Sequence, residues 1–228
     1  MPHPSLDLVV FDMAGTTVHD ADFVARAFLD TLQAAGYPAT TGDANTVMGY
    51  PKPEAIRRLL IQYDGHALPS DVIRLHHDFL DRMNTFYRTS DEVREVPGAR
   101  ATFERLRHVG IAVALNTGFS RTTADIILDR LGWTDPSLVN ATITSDEVTE
   151  GRPTATMVIA LMDQLSIDDP ARVAKVGDTP SDLLEGDAAG CRYNIGVTEG
   201  THSQAELEAY PHTHLIPSVA ALPSLLNL

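Results

Sequence analysis

The sequence is poor in cysteine, in basic residues and in long apolar stretches. Cys191 is the one cysteine among 228 residues, which excludes an intramolecular disulfide and is typical of a cytoplasmic protein. Lysine and arginine total 17 against 31 aspartates and glutamates, and the net charge of −14 argues against nucleic acid as a partner. No run approaches the roughly 20 apolar residues that cross a bilayer. Residues 1–4 lack the features of a signal peptide, so we expect a cytoplasmic protein with no membrane partner.

Five short apolar runs predict buried strands, because each is too short for a helix and rich in β-branched residues. They cover residues 6–11, 111–115, 141–143, 173–176 and 193–197. Helical spacing of apolar residues separates the later runs, with Ser120 as an N-cap and Pro153 where a helix can begin. Strands and helices that alternate in this way predict a Rossmann-like α/β core with a parallel sheet covered on both faces.

The segment between the first and second predicted strands has a different pattern. Its apolar residues recur at helical spacing only, as in the series Phe23, Phe28 and Leu32, and no convincing strand interrupts them. We therefore expect an all-helical cap domain at residues 19–95, inserted into a core that comprises residues 1–18 and 96–228.

Polar residues follow the predicted strands at the points where the strands end. Asp12 follows the first, Thr117 the second, Arg152 the third, and Asp178 with Asp182 the fourth. Because ligands bind at the carboxyl ends of parallel strands, these side chains are expected to converge. Carboxylates suit Mg²⁺, while a hydroxyl and a guanidinium suit phosphoryl oxygens, so the set favours phosphoryl transfer.

The same residues resemble the four signature motifs of the haloacid dehalogenase superfamily, in that family's order. The motifs read Asp12-x-Ala14-Gly15-Thr16, Thr117-Gly118, Gly151-Arg152-Pro153 and Gly177-Asp178-Thr179-x-x-Asp182. More narrowly, Ala14 in place of the usual second aspartate and Arg152 in place of the usual lysine resemble the phosphonoacetaldehyde hydrolases (phosphonatases) and phosphonatase-like hydrolases.

This resemblance implies roles for individual residues. Asp12 would be the nucleophile that forms an aspartyl-phosphate, and Thr117 and Arg152 would orient the phosphoryl group. Mg²⁺ would be held by Asp12, Asp178 and the backbone carbonyl of Ala14, with Asp182 supporting the metal site. The remaining predicted substrate-binding positions are Gly15, Thr16, Met48, Gly49 and Gly118.

Ala14 makes an ordinary phosphatase reaction harder, because alanine cannot protonate a departing alkoxide. Phosphonatases instead activate an aldehyde substrate through a Schiff base with a cap lysine. The stretch Met48-Gly49-Tyr50-Pro51-Lys52 is similar to their lysine loop, which makes Lys52 the candidate Schiff-base former.

The chain departs from phosphonatases at several cap positions. Ala55 stands where they have a histidine, Asp22 where they have a cysteine, and Phe119 where a tyrosine is usual. Three interpretations therefore stay open. One is C–P bond hydrolysis of a phosphonate such as phosphonoacetaldehyde. Another is a small-molecule phosphomonoesterase in which Lys52 only binds substrate and Asp22 or His19 replaces the missing acid. The last is a non-catalytic phosphate-binding protein, and a homodimer is compatible with all three.

Overall fold

The computed structural model describes residues 6–20, 22–48 and 50–228, and these contain six strands and ten α-helices. The strands are β1 (Leu8–Asp12), β2 (Ala112–Thr117), β3 (Ala141–Thr144), β4 (Val173–Gly177), β5 (Tyr193–Val197) and β6 (His214–Ile216). Five helices lie between β1 and β2: α1 (Phe23–Ala34), α2 (Thr41–Asn45), α3 (Lys52–Asp64), α4 (Pro69–Thr89) and α5 (Ala99–His108). The others are α6 (Arg121–Leu131), α7 (Thr156–Gln164), α8 (Pro180–Ala188), α9 (Gln204–Leu207) and α10 (Leu222–Leu225).

All six strands pair in parallel in the order β3-β2-β1-β4-β5-β6. Alternate side chains of β1 enter different hydrophobic clusters: Val9 and Phe11 join residues of α5 and α6, and Leu8 and Val10 join residues of α7. Burial on both faces explains why β1 is an unbroken apolar run. The predicted α/β class is confirmed, and the strand order reverses between β1 and β4, where ligands of such sheets bind.

The structure differs from the sequence prediction in details. Strand β6 and the short helix α2 were not predicted, because three and five residues are too few to show a period. Helix α7 begins at Thr156 rather than at Pro153, since Pro153 lies in a turn that a hydrogen bond from Thr154 N to Gly151 O closes at 3.2 Å.

The segment between β1 and α5 carries four helices, α1 to α4, and α4 packs against α1, α3 and α6. The rings of Phe28 and Phe79 stack at 4.5 Å inside this group. Helix α4 is tied to α6 by a 2.8 Å hydrogen bond from Thr123 Oγ1 to Asn84 Oδ1. These contacts hold the amino terminus of α3, which begins at Lys52, beside the loop that follows β2.

The two chain segments that join α1–α4 to the sheet run side by side. His19 N donates to Arg94 O at 2.9 Å, and Val96 N donates to Thr17 O at 2.8 Å. These bonds lie near residues 19 and 95, where the sequence predicts the cap domain to begin and end, and the domain division itself stays a prediction. None of the helices in the described residues is long and apolar enough to cross a membrane.

Candidate active site

Three aspartates meet at the carboxyl edge of the sheet, beside the point where the strand order reverses. Asp12 is the last residue of β1, Asp178 directly follows β4, and Asp182 lies in the first turn of α8. Each is at most 5% exposed, and each offers a carboxylate oxygen within 4.8 Å of the other two. The sequence predicted this convergence, because parallel strands deliver their last residues to one edge.

The turn after β1 positions Asp178 as well as Asp12. Thr17 Oγ1 donates to the backbone oxygen of Asp12 at 2.8 Å, and Thr16 Oγ1 donates to Asp178 Oδ1 at 2.9 Å. Gly15 has a φ of +85°, and a Cβ there would lie 2.2 Å from Asp178 Oδ2. Only glycine fits this position, so Gly15 and Thr16 fix the position of Asp178.

Asp182 is held by its own helix and by two cations. Its Oδ2 accepts from Thr179 Oγ1 at 2.6 Å in a capping box at the start of α8. Its Oδ1 accepts from Lys175 Nζ at 2.7 Å and lies 3.0 Å from Arg152 Nη1. Asp182 therefore lies beneath the other two aspartates and is already paired within the protein.

Arg152 reaches the same edge from the loop between β3 and α7 and is 3% exposed. Its Nη1 donates to Asp12 Oδ1 at 2.5 Å, and its Nη2 donates to the backbone oxygen of Asn116 at 2.9 Å. Thr117 is the last residue of β2, and its hydroxyl oxygen accepts from Phe119 N at 3.1 Å. An arginine fixed beside a carboxylate in this way places its positive charge next to that carboxylate, where it can attract a tetrahedral oxyanion.

The crowding of buried carboxylates favours a cation at this edge. Burial raises the pKa of Asp12 to about 6, helped by Asp182 and opposed by Arg152. Burial, followed by the charges of Asp12 and Asp182, raises the pKa of Asp178 to about 7. The carboxylates repel one another when both are ionised, and their oxygens are hard donors. A divalent metal fits such a site, because its charge would offset that repulsion.

A narrow cavity of about 20 Å³, close to the space of one water molecule, adjoins these groups. Its lining combines groups from the sheet edge with groups from the inserted helices: Asp12, Ala14, Val24, Met48, Lys52, Thr117, Gly118, Phe119, Arg152, Thr179 and Thr201. Lys52 and Arg152 thus face one enclosed space.

Lys52 is 4% exposed and lies between two aromatic rings. Its Nζ is 5.6 Å from the ring centre of Phe28 and 5.3 Å from that of Phe119. In the described part of the chain no carboxylate comes within ion-pair distance of this nitrogen. Burial lowers the pKa of Lys52 to about 8, although the charges of Asp12 and Asp20 oppose the shift.

Other predicted positions have different outcomes. Gly49 lies outside the described residues. His19 has its Nε2 2.9 Å from Arg94 Nη2, and Asp22 is exposed, so the two proposed substitutes for the missing acid do not line the cavity. Ala55 is fully buried in α3.

Sequence reasoning missed four residues at or near the site. Glu185 and Lys175 are each at most 1% exposed; Glu185 pairs with Arg152, and Lys175 pairs with Asp182. Asn116 accepts hydrogen bonds from both Arg152 and Lys175. Thr201 N donates to Asp178 Oδ2 at 2.7 Å. The sequence does mark Lys175, because it is a lysine inside the apolar strand β4. An unpaired buried charge is costly, so such a lysine predicts a buried carboxylate partner.

Known proteins share both the motifs and the architecture. The sequence profile of the haloacid dehalogenase-like hydrolases matches residues 6–190. Phosphonoacetaldehyde hydrolase of Hahella chejuensis is 32% identical over 208 residues, which cover 85% of this chain and 68% of the relative. That of Bacteroides fragilis is 28% identical over 224 residues, which cover 93% and 83%.

A solved structure extends the likeness to the whole fold. The phosphonoacetaldehyde hydrolase-like protein from Oleispira antarctica superposes with a TM-score of 0.84 at 22% identity, covering 99% of this chain and 92% of that one. The profile match spans most of the chain and includes β1, β2 and β4 with the polar residues that follow them. The chain is an enzyme of the hydrolase class and belongs to the haloacid dehalogenase-like hydrolases.

Proposed function

We propose that this enzyme hydrolyses the C–P bond of a small aldehyde-bearing phosphonate such as phosphonoacetaldehyde. The observation that carries the proposal is the placement of Lys52 in the same small cavity as Asp12 and Arg152. An amine and a phosphoryl-binding site in one enclosed space suit a substrate that carries an aldehyde at one end and a phosphonate at the other.

The surroundings of Lys52 favour a nucleophilic amine. With a pKa of about 8, about a quarter of the amine is neutral at pH 7.5, against roughly 0.1% for an ordinary lysine. Burial between Phe28 and Phe119 excludes water, and among the described residues no carboxylate lies within ion-pair distance of the nitrogen. Lysines that form Schiff bases are activated by such desolvation.

The proposed reaction begins at the aldehyde. The neutral amine of Lys52 adds to the carbonyl carbon, and water leaves as the protonated imine forms. A carboxylate oxygen of Asp12 then attacks phosphorus, the C–P bond breaks, and its electron pair passes through carbon to the imine nitrogen to give an enamine. The enamine takes up a proton on carbon, and water releases acetaldehyde and restores Lys52.

The phosphoryl half is completed at Asp12. Water hydrolyses the aspartyl-phosphate, releasing phosphate and restoring the carboxylate. Arg152 balances the charge of the phosphoryl group throughout, and Thr117 orients it, with Gly118 lining the cavity beside them. Asp12, Asp178 and the backbone carbonyl of Ala14 would hold Mg²⁺, with Asp182 in support, and the bound ion would offset the negative charge of the phosphoryl oxygens.

Ala14 favours this reaction over phosphate ester hydrolysis. A poor alkoxide leaving group needs an acid, and alanine provides none. The two substitutes that the sequence offers, His19 and Asp22, do not line the cavity. The protonated imine supplies an electron sink that makes such an acid unnecessary. A small-molecule phosphomonoesterase in which Lys52 only binds an anion is the alternative, and Ala55 in the position of the relatives' histidine is its support.

We further propose that α1–α4 act as a cap over the sheet edge. Met48 and residues 50–52 would then lie over the phosphorus site when substrate is bound, with Met48 against the organic part of the substrate. Exclusion of water would protect the imine and the aspartyl-phosphate from premature hydrolysis.

The test is incubation with Mg²⁺ and phosphonoacetaldehyde, followed by assay of acetaldehyde and by borohydride reduction with peptide mass spectrometry. The chain has only two lysines, Lys52 and Lys175, so the site of trapping is unambiguous. We expect wild type to release acetaldehyde and to be trapped at Lys52.

Two variants separate the steps. Asp12→Asn should still be trapped at Lys52 but release no acetaldehyde, because imine formation precedes attack on phosphorus. Lys52→Arg should neither be trapped nor release acetaldehyde, and Arg57→Ala, an exposed change on the same helix, should match wild type. A folded wild type that releases phosphate from phosphomonoesters but no acetaldehyde would favour the alternative.

A further inference from the structure

Glu185 is a fully buried carboxylate outside the four signature motifs. It lies on α8, three residues after Asp182, so both side chains project from one face of the helix. Its Oε2 accepts from Arg152 Nε at 3.0 Å and from Asn116 Nδ2 at 2.8 Å. Its Oε1 has no hydrogen-bond partner among the described residues. Burial of a carboxylate costs desolvation free energy, which helix formation alone does not explain.

Three oxygens at the base of the site are each shared by two cations. Asn116 Oδ1, Asp182 Oδ1 and Glu185 Oε2 lie 2.5, 3.0 and 3.0 Å from nitrogens of Arg152. The same three atoms lie 3.0, 2.7 and 3.4 Å from Lys175 Nζ. The oxygens thus form a layer with Arg152 above, toward Asp12, and Lys175 below.

The layer is balanced in charge and fixes the guanidinium in three directions. The charges of Asp182, Glu185, Arg152 and Lys175 sum to zero. Asp12, which also pairs with Arg152, is therefore an additional negative charge next to a neutral group. Nε meets Glu185, Nη1 meets Asp182 and Asp12, and Nη2 meets Asn116. A planar guanidinium held at all three nitrogens cannot rotate, unlike a lysine ammonium.

We propose that Glu185 is a positioning residue for the phosphoryl-binding site, acting through Arg152, with Lys175 as its counter-charge. Its carboxylate fixes Nε, so that Nη1 of Arg152 stays on Asp12 Oδ1 and the guanidinium charge lies beside the proposed phosphoryl position. This inference rests on the proposed function only in taking Arg152 as the charge that attracts the phosphoryl group, and it is independent of the organic part of the substrate.

The rival explanation is a purely structural ion pair. Buried ion pairs contribute little net stability, while removal of one partner is destabilising, so Glu185 could matter only for folding. The two explanations differ in one respect. A structural role changes the melting temperature and leaves the phosphate affinity of the folded protein unchanged, whereas a positioning role changes that affinity.

The experiment measures Kd for inorganic phosphate with Mg²⁺ present, by calorimetry, together with the melting temperature. Glu185→Gln is compared with wild type and with Asp187→Asn, an exposed carboxylate on the same helix. Glutamine can still accept from Arg152 Nε but lacks the carboxylate charge, and charge-assisted hydrogen bonds contribute a factor of about 10 or more. We expect Kd to rise about 10-fold in Glu185→Gln and to stay at the wild-type value in Asp187→Asn.

A double-mutant cycle with Arg152→Ala tests whether Glu185 acts through the arginine. We expect Glu185→Gln to add less than 2-fold once Arg152 is alanine. A Kd within 2-fold of wild type in the single variant, or effects that multiply fully in the double variant, would overturn the proposal.

Failure of the proposed function is recognised separately. If wild type binds phosphate but releases no acetaldehyde from phosphonoacetaldehyde, the substrate is wrong and the cycle still decides the role of Glu185. If wild type binds no phosphate, the phosphoryl site itself is wrong and this inference falls with it.

Discussion

The two sides of the cavity place their cations in opposite surroundings: Arg152 is paired with carboxylates, and Lys52 is desolvated among aromatic rings. On the sheet side, Arg152 contacts two carboxylates besides Asp12, and the sheet-edge aspartates accept hydrogen bonds from hydroxyl, amide or ammonium groups. On the helical side, the Lys52 ammonium has no hydrogen bond or ion pair within the described residues and lies near the faces of two aromatic rings. The pairing keeps Arg152 charged, because the carboxylates outweigh the effect of burial on its pKa, which is held above the usual range.

The difference indicates a division of labour. A paired guanidinium keeps its charge and its direction, which suits the binding of an oxyanion. A desolvated amine loses its proton readily, which suits attack on a carbonyl carbon. We therefore expect the sheet edge to carry chemistry common to haloacid dehalogenase-like hydrolases, and the helical side of the cavity to determine which substrate binds. Three measurements would break or sharpen this contrast.

The largest effect is expected on the sheet side. Asp12→Asn should lower kcat by about 10⁴-fold or more, because an amide cannot attack phosphorus. Steady-state release of phosphate measures the change, with Asp30→Asn, an exposed aspartate on α1, as the matched control. A variant with wild-type behaviour would instead support a non-catalytic phosphate-binding protein.

The metal should act on the sheet side in a pH-dependent way. The pKa values of Asp12 and Asp178 are raised to about 6 and 7 from the usual 3.8, so without metal the folded state loses stability as pH rises through this window. Bound Mg²⁺ removes that penalty. At one fixed concentration, 100 times the Kd for Mg²⁺ at pH 8, we expect Mg²⁺ to raise Tm by about 5–10 °C at pH 8 and by much less at pH 5.

Thermal melting at matched ionic strength checks this expectation. Asp178→Asn should abolish most of the Mg²⁺ effect at pH 8, since it removes a proposed ligand. A shift that is equal at both pH values would show that these carboxylates do not bind the ion.

The smallest effect is expected on the helical side. Phe119→Leu keeps an apolar wall but removes one ring face, and cation–π contacts contribute about 0.5–1 kcal/mol. The charged form of Lys52 would lose that support, so its pKa should fall further, by less than about one unit. The pH midpoint of borohydride trapping measures the shift, and Phe86→Leu, on α4 and packed against Phe23, is the control. A midpoint that moves upward would contradict this account.

Much of the fold could be read from the chain. The apolar runs of β1, β2 and β4 needed no tertiary information, because a strand buried on both faces must be apolar throughout. The convergence of Asp12, Asp178 and Arg152 followed from the parallel arrangement. Strand β6 was too short to recognise.

Other features depended on contacts between residues far apart in sequence. The layer of oxygens beneath Arg152 joins β2, β4 and α8, and no local pattern marks Glu185 as part of it. Lys52 lies between the rings of Phe28 and Phe119, which are 24 and 67 residues away along the chain, and only the folded structure provides the burial that lowers its pKa.

The sequence by itself therefore determined the hydrolase family, the sheet and the residues at its carboxyl edge, because strand periodicity and motif order are local properties. Only the tertiary structure decided which charges are paired and which are desolvated, because solvation and Coulomb energies depend on distances that folding creates.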